Sequence, residues 1–90
     1  NLSFDVSYQL GHIMLDKFSN LEFAINHFNM LRQQYPDNLD VNLQLSIAYQ
    51  KSGKINDAIK VIDDWNVKYP YNPKTEEWLK IIEIMRKSNQ

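Results

Sequence analysis

Hydrophobic residues recur along this chain at intervals of three and four positions, the spacing of one face of an α-helix. Five stripes of this kind can be traced. Their members are Val6, Leu10 and Met14; Leu21, Ala24, Ile25, Phe28 and Leu31; Val41, Leu45, Ala48 and Tyr49; Ile55, Ala58, Ile59, Ile62 and Trp65; and Trp78, Leu79, Ile82 and Met85. The pattern predicts an all-α protein with helices near residues 4–17, 20–35, 39–52, 55–69 and 73–87. Each helix is expected to bury its stripe in a shared core.

Glycine and proline mark the ends of several predicted helices. Gly53 ends the third helix, because glycine adopts the left-handed conformation of a helix C-cap at little cost. The fourth helix ends before Pro70, since the residue preceding a proline disfavours the helical region. Asn72 and Pro73 are typical of an N-cap followed by the first helical residue, and they predict the start of the fifth helix.

The helical pattern repeats. An offset of 34 positions pairs Ala24 with Ala58, Phe28 with Ile62 and Pro36 with Pro70, whereas upstream an offset of 35 pairs Leu10 with Leu45 and Gly11 with Ser46. The change of offset predicts one extra residue in a turn between residues 15 and 20. The small residues among these pairs are expected where two helices approach closely.

This helix–turn–helix unit of 34 residues resembles the tetratricopeptide repeat. The matching residues are Leu10-Gly11, Ala24, Phe28 and Pro36 in the first copy, and Leu45-Ser46, Tyr49, Gly53, Ala58, Ile62 and Pro70 in the second. The chain departs from the family pattern at Met14, Ser19, Leu31 and Trp65. The resemblance implies one domain, a right-handed solenoid of helical hairpins. Its repeats would span about residues 4–37 and 38–71, followed by a capping helix at about 73–87, and its function would be protein–protein interaction.

Composition and charge argue against catalysis and against nucleic-acid binding. The 90 residues include 10 basic and 11 acidic side chains, so the net charge of −1 gives no strong positive field. Cysteine is absent, and the two histidines, His12 and His27, lack the spacing of a metal-binding pair on a helix. No apolar run reaches the length of a membrane span. We therefore expect no enzymatic activity, no cofactor, no metal, no nucleic-acid partner and no membrane insertion. The chain does not begin with Met, and we expect a processed chain or a fragment.

The family resemblance implies that the first helices of successive repeats line a concave groove for a protein or peptide partner. The positions concerned are Tyr8, His12 and Leu15 in the first copy, Leu43, Ile47, Gln50 and Lys51 in the second, and Glu77, Ile81 and Ile84 in the last helix. The alternative is that some of them pack against neighbouring helices. The best-known groove of this family binds the C-terminal carboxylate of a chaperone. At the matching positions this chain has Tyr8, His12, Gln44, Lys74 and Trp78. Only Lys74 suits that role, which argues against chaperone-tail binding.

A second set of apolar residues lies off the core stripes and indicates self-association. The set comprises Phe23, His27 and Met30 in the second helix and Ile84 and Met85 in the last. Exposed apolar patches usually mark contacts, and we expect a homodimer through one end of the domain. The alternative is that neighbouring repeats cover these faces.

Two other functions remain open. The chain is compatible with an accessory helical domain of a larger enzyme or of a secretion or assembly machine, with catalysis elsewhere; the full-length sequence would distinguish that case. An RNA-binding helical repeat would be retained on a nucleic-acid column at low salt and released steeply as salt is added.

Overall fold

A computed structural model describes residues 3–16 and 20–88, and this part of the chain forms five α-helices without any strand. They are α1 (Phe4–Asp16), α2 (Leu21–Gln34), α3 (Leu39–Lys51), α4 (Ile55–Lys68) and α5 (Pro73–Ser88). The predicted all-α class is confirmed, and the predicted helix ends agree with the structure to within one residue. The exception is the predicted end of the first helix, residue 17, which lies outside the described residues. The predicted extra turn residue, together with Ser19, lies outside the described residues.

Asparagine side chains cap the N-termini of three helices. Asn20 Oδ1 and Asn38 Oδ1 each accept a hydrogen bond from the backbone N–H three residues later, at 3.1 and 3.0 Å. Asn72 Oδ1 accepts from the N–H of Lys74 at 2.9 Å. These bonds satisfy N–H groups that the first turn of a helix leaves without a partner. At the turn between α3 and α4, Gly53 has a φ of 84°, the left-handed conformation expected there.

Consecutive helices pack against one another, and α1 also contacts α3. The stripes predicted for α2 to α5 supply most of the core. Its buried hydrophobic residues are Leu15, Ala24, Ile25, Phe28, Leu31, Val41, Leu45, Ala48, Ala58, Val61, Ile62, Trp65 and Ile82.

The core stripe predicted for α1 is wrong. Val6 and Leu10 are 51% and 36% exposed, and α1 instead buries Ser7, Gly11 and Leu15. The physical reason is the distance between α1 and α2, since a Cβ atom added at Gly11 would lie only 2.8 Å from the ring of Phe28. Small residues permit this approach, so they take the inward face and the larger ones are turned outward.

Buried polar side chains of α3 form hydrogen bonds with the neighbouring helices and turns. Asn42 is 1% exposed; its Oδ1 accepts from Arg32 Nε at 3.0 Å, and its amide donates to two backbone carbonyls. Ser46 Oγ, fully buried, donates to the carbonyl of Ala58 at 2.8 Å. Among the described residues no buried side-chain polar atom lacks a partner, so the position of α3 is fixed by hydrogen bonds as well as by packing.

Candidate partner-binding surfaces

An open cavity of about 240 Å³ lies between α3 and α5, and we call it the α3–α5 groove. The residues lining it are Leu43, Gln44, Ile47, Lys74, Glu77, Trp78 and Ile81. Lys74 and Glu77 are exposed, whereas Leu43, Ile47 and Trp78 are half-buried. The groove therefore combines an apolar wall with one positive and one negative side chain.

Hydrogen bonds hold the α5 side of the groove in place. Trp78 Nε1 donates to Ser46 Oγ at 2.7 Å, which fixes the indole ring against α3. At the start of α5 the buried Thr75 hydroxyl lies 2.9 Å from Asn66 Oδ1, to which it donates. Because α5 is tied to both α3 and α4, the side chains that line the groove are held in place by contacts within the chain.

The structure brings together part of the predicted partner-binding set. Leu43, Ile47 and Ile81, together with Glu77, line the same groove although they lie on two helices. Gln50 and Lys51 lie at the last turn of α3 and do not line it. These apolar groups therefore share one surface that a partner can reach.

Three predicted groove residues on α1 lie elsewhere. Leu15 is 2% exposed and belongs to the core, so its assignment to a partner-binding surface is corrected: it packs within the molecule. Tyr8 is half-buried among aromatic rings, with Phe28 at 6.0 Å between ring centroids. The ring of His12 stands edge-on to Tyr8 at 5.6 Å. The α1 positions thus contribute mainly to packing within the chain.

The residues predicted for self-association divide into two groups. Phe23 and Met30 are 36% and 41% exposed, and Ile84 on α5 is 66% exposed. His27 is half-buried, stacks on Phe23 at 5.5 Å and donates from Nε2 to the Ser7 carbonyl at 2.6 Å. His27 therefore joins α2 to α1. Met85 is half-buried as well.

The outer face of α1 is a surface that the sequence interpretation missed. Asp5, Val6, Gln9, Leu10 and Ile13 line one open, largely apolar patch there. Val6, Leu10 and Ile13 correspond at the offset of 35 to Val41, Leu45 and Ala48, which are fully buried. The same sequence pattern is thus covered in α3 and uncovered in α1. Comparing the two copies for a helix that could cover each stripe would have identified this surface.

The chemistry of the described residues is sparse. They contain no group of three or more His, Cys, Asp or Glu side chains placed to hold a metal ion. Within the same ranges no helix has the length and apolar character needed to cross a membrane. Partial burial raises the pKa of the Tyr69 phenol above its ordinary value, and a hydrogen bond to Asp37 and the charge of that carboxylate raise it further.

The chain matches no known protein family, no curated protein and no solved structure. A functional conclusion therefore depends on the geometry of the chain's own residues.

Proposed function

We propose that this chain is a protein–protein interaction module, a helical-hairpin repeat of the tetratricopeptide type, that binds a peptide segment of another protein in the α3–α5 groove. The observation that carries the proposal is the convergence of Leu43, Ile47 and Ile81 on one open groove beside an indole ring held by a hydrogen bond. Apolar side chains left accessible on a preformed surface are typical of a binding site.

The repeat architecture is supported by the burial of equivalent positions in α3 and α5. At the offset of 34, Val41 corresponds to Thr75 and Ala48 to Ile82, and all four are fully buried. The same face of each helix is therefore turned to the interior. Under this proposal α3 and α5 occupy the same place in successive units, and the groove lies between first helices, as the family resemblance implies.

The groove favours a short segment with apolar anchors. Fully burying one such anchor contributes roughly 1.5–3 kcal/mol, so two anchors offset part of the cost of immobilising the peptide. Lys74 and Glu77 lie three residues apart on α5, one turn of the helix, and they present opposite charges beside the apolar wall. Such a pair contributes mainly to the direction in which a charged peptide binds.

The experiment is a selection from a phage-displayed library of random peptides on the immobilised chain. Leu43→Glu combined with Ile47→Glu should abolish enrichment, because the partner's anchors would face two carboxylates. The matched control is Val67→Glu with Tyr71→Glu, which adds the same charge at residues that are 83% and 87% exposed and lie outside the groove. Circular dichroism verifies folding. Equal enrichment on the folded groove variant and on the control would refute the assignment of the groove.

A further inference from the structure

Two neighbouring helices, α1 and α2, carry partly exposed hydrophobic side chains, which together we call the end face. Val6, Leu10 and Ile13 on α1 are 51%, 36% and 42% exposed, and Phe23 and Met30 on α2 are 36% and 41% exposed. The two helices pack together. His27 stacks on Phe23 and is hydrogen-bonded to the Ser7 carbonyl of α1. Among the described residues no helix covers this face.

The second copy shows how the chain joins one helical unit to the next. There the junction with α2 is held by polar contacts: Arg32 donates to Asn42 at 3.0 Å and pairs with Asp64 at 3.7 Å, and Asn29 donates to the hydroxyl of Tyr49 at 3.0 Å. In the first copy the positions of Asn42, Tyr49 and Asp64 hold Ser7, Met14 and Met30. The end face therefore lacks the amide, phenol and carboxylate of that junction, and it is complementary to a surface that is equally apolar.

The last helix, α5, carries charged residues at the positions that would meet a further unit. At the offset of 34 the positions of Asn42, Ser46 and Tyr49 hold Glu76, Lys80 and Glu83 on α5. The first two are exposed, and Glu83 is paired with Arg86. A head-to-tail contact would bury these charges against hydrophobic side chains, which is costly. The end face is therefore not complementary to the opposite end of a second molecule.

The α1 part of the end face has a spacing that suits a twofold contact with a second copy. Its α1 stripe is centred on Leu10, the middle residue of the helix, with Val6 four positions before it and Ile13 three after. Two α1 helices placed antiparallel about a twofold axis near Leu10 would set Val6 of one against Ile13 of the other, and each contact would occur twice. The two Asp5 carboxylates would then lie roughly 15 Å apart at opposite ends, given a rise of about 1.5 Å per residue.

We infer that the end face is where a second copy of this chain docks, forming a twofold dimer in which the α1 helices run antiparallel. A stable interface of standard size buries about 800 Å² on each partner. The chain exposes 5835 Å², so such an interface covers about one seventh of it. The α3–α5 groove lies on other residues and stays open in this dimer.

Sedimentation equilibrium of the 90-residue chain tests the dimer. The expected mass at high micromolar concentration is twice 10.7 kDa. Phe23→Asp with Met30→Asp gives the first copy the residues that the second copy carries at Asp57 and Asp64, and the dimer should dissociate at least 10-fold more readily. Val67→Asp with Tyr71→Asp is the matched control and should remain dimeric. A wild-type mass near 10.7 kDa overturns the proposal.

A second variant, on α1, tests the same interface without changing α2, so a folding defect caused by the α2 substitutions would not affect it. Val6→Lys with Ile13→Lys should also give a monomer with unchanged circular dichroism. A dimer that persists in both folded end-face variants overturns the proposal. So does a dimer that only Leu43→Glu with Ile47→Glu dissociates, because the contact would then be the groove.

The antiparallel arrangement has its own test, because the chain contains no cysteine. Gln9→Cys places a single thiol beside Leu10, close to the expected axis, and should form disulfide-linked dimers at least 10-fold faster than Tyr71→Cys under mild oxidation. Equal rates would contradict the antiparallel α1 contact. Peptide selection on the groove proceeds separately, so failure of the dimer and failure of the proposed function give different results.

Discussion

The indole Nε1 of Trp78 donates a hydrogen bond of 2.7 Å to the hydroxyl of Ser46, which lies 32 positions earlier in the chain. Ser46 in turn donates to the carbonyl of Ala58 at 2.8 Å. The two bonds connect α5 to α3 and α3 to α4 through one buried oxygen atom. Ser46 also takes the place that Gly11 has in the first copy, so a small residue there serves close packing and the placement of the groove wall.

Ser46→Ala should lower the free energy of unfolding by about 1–3 kcal/mol, because the half-buried indole N–H loses its acceptor. Urea denaturation followed by circular dichroism measures the change. Ser52→Ala is the control: its hydroxyl donates to the carbonyl of Tyr49 at a partly exposed turn, and a smaller loss is expected. Equal losses in the two variants would contradict the bridging role of Ser46.

Gly11→Ala tests the close contact of α1 with α2. Helix propensity alone favours alanine by about 1 kcal/mol. The added methyl would lie 2.8 Å from Cζ of Phe28, and overpacking of this kind costs about 1–3 kcal/mol. We expect a net loss of stability in denaturation experiments. In a Phe28→Leu background the same substitution should cost less, and an unchanged cost in this double-mutant cycle would refute the steric explanation.

Ala58→Leu tests the equivalent close contact of α4. Ala58 is fully buried, and its carbonyl accepts the hydrogen bond from Ser46. The larger side chain should displace α3 and lower the free energy of unfolding by about 1–3 kcal/mol. Val67→Leu, at an 83% exposed position of the same helix, should leave the denaturation midpoint unchanged. A midpoint for Ala58→Leu equal to that of the wild type would contradict the argument.

The stability of the chain should fall at alkaline pH through Tyr69. Its folded-state pKa is raised by burial and by Asp37, so the protonated phenol is favoured in the native state. The resulting stabilisation is present below the unfolded pKa, near 10, and is lost as pH rises through the higher folded pKa. Ultraviolet titration compared with Tyr69→Phe gives the pKa. Asp37→Asn should lower it, and an unchanged value would exclude Asp37 as a cause.

The helices were predictable from sequence because their signals are local. A cap such as Asn72, a left-handed residue such as Gly53 and an apolar period of three to four each act within a few residues. Burial is not local in this sense. Leu10 and Leu45 occupy equivalent places in the same pattern, yet Leu10 is 36% exposed and Leu45 is fully buried. Within the described part of the chain, neighbouring helices cover Leu45 and leave Leu10 partly exposed.

The candidate site was predictable only in part, for a related reason. The resemblance to the tetratricopeptide repeat implied that Leu43 and Ile47 of α3 and Ile81 of α5 belong to one groove, and these residues line the same open cavity. Leu15 belonged to the same predicted set, but it lies at the last turn of α1, in the core. Whether a residue belongs to a shared surface depends on where the neighbouring helices lie. The sequence pattern within one helix carries no information on those positions.

Arg32 contacts two partners of different exposure, and their replacement should have unequal effects. Asn42 is 1% exposed and its side chain takes part in three hydrogen bonds. Asn42→Ala therefore leaves buried groups without partners and should lower the free energy of unfolding by about 1–3 kcal/mol. Asp64 is 47% exposed at 3.7 Å from the guanidinium, and Asp64→Ala should cost less than about 1 kcal/mol. The small effect should shrink further in high salt, whereas the effect of Asn42→Ala should persist, since a buried amide is not screened. Urea denaturation at two salt concentrations measures both. Asp64 also pairs with Lys60 at 3.4 Å. If Asp64→Ala proved the more damaging variant, the ion pairs of Asp64 and not the buried amide of Asn42 would be the main stabilising contacts of this junction.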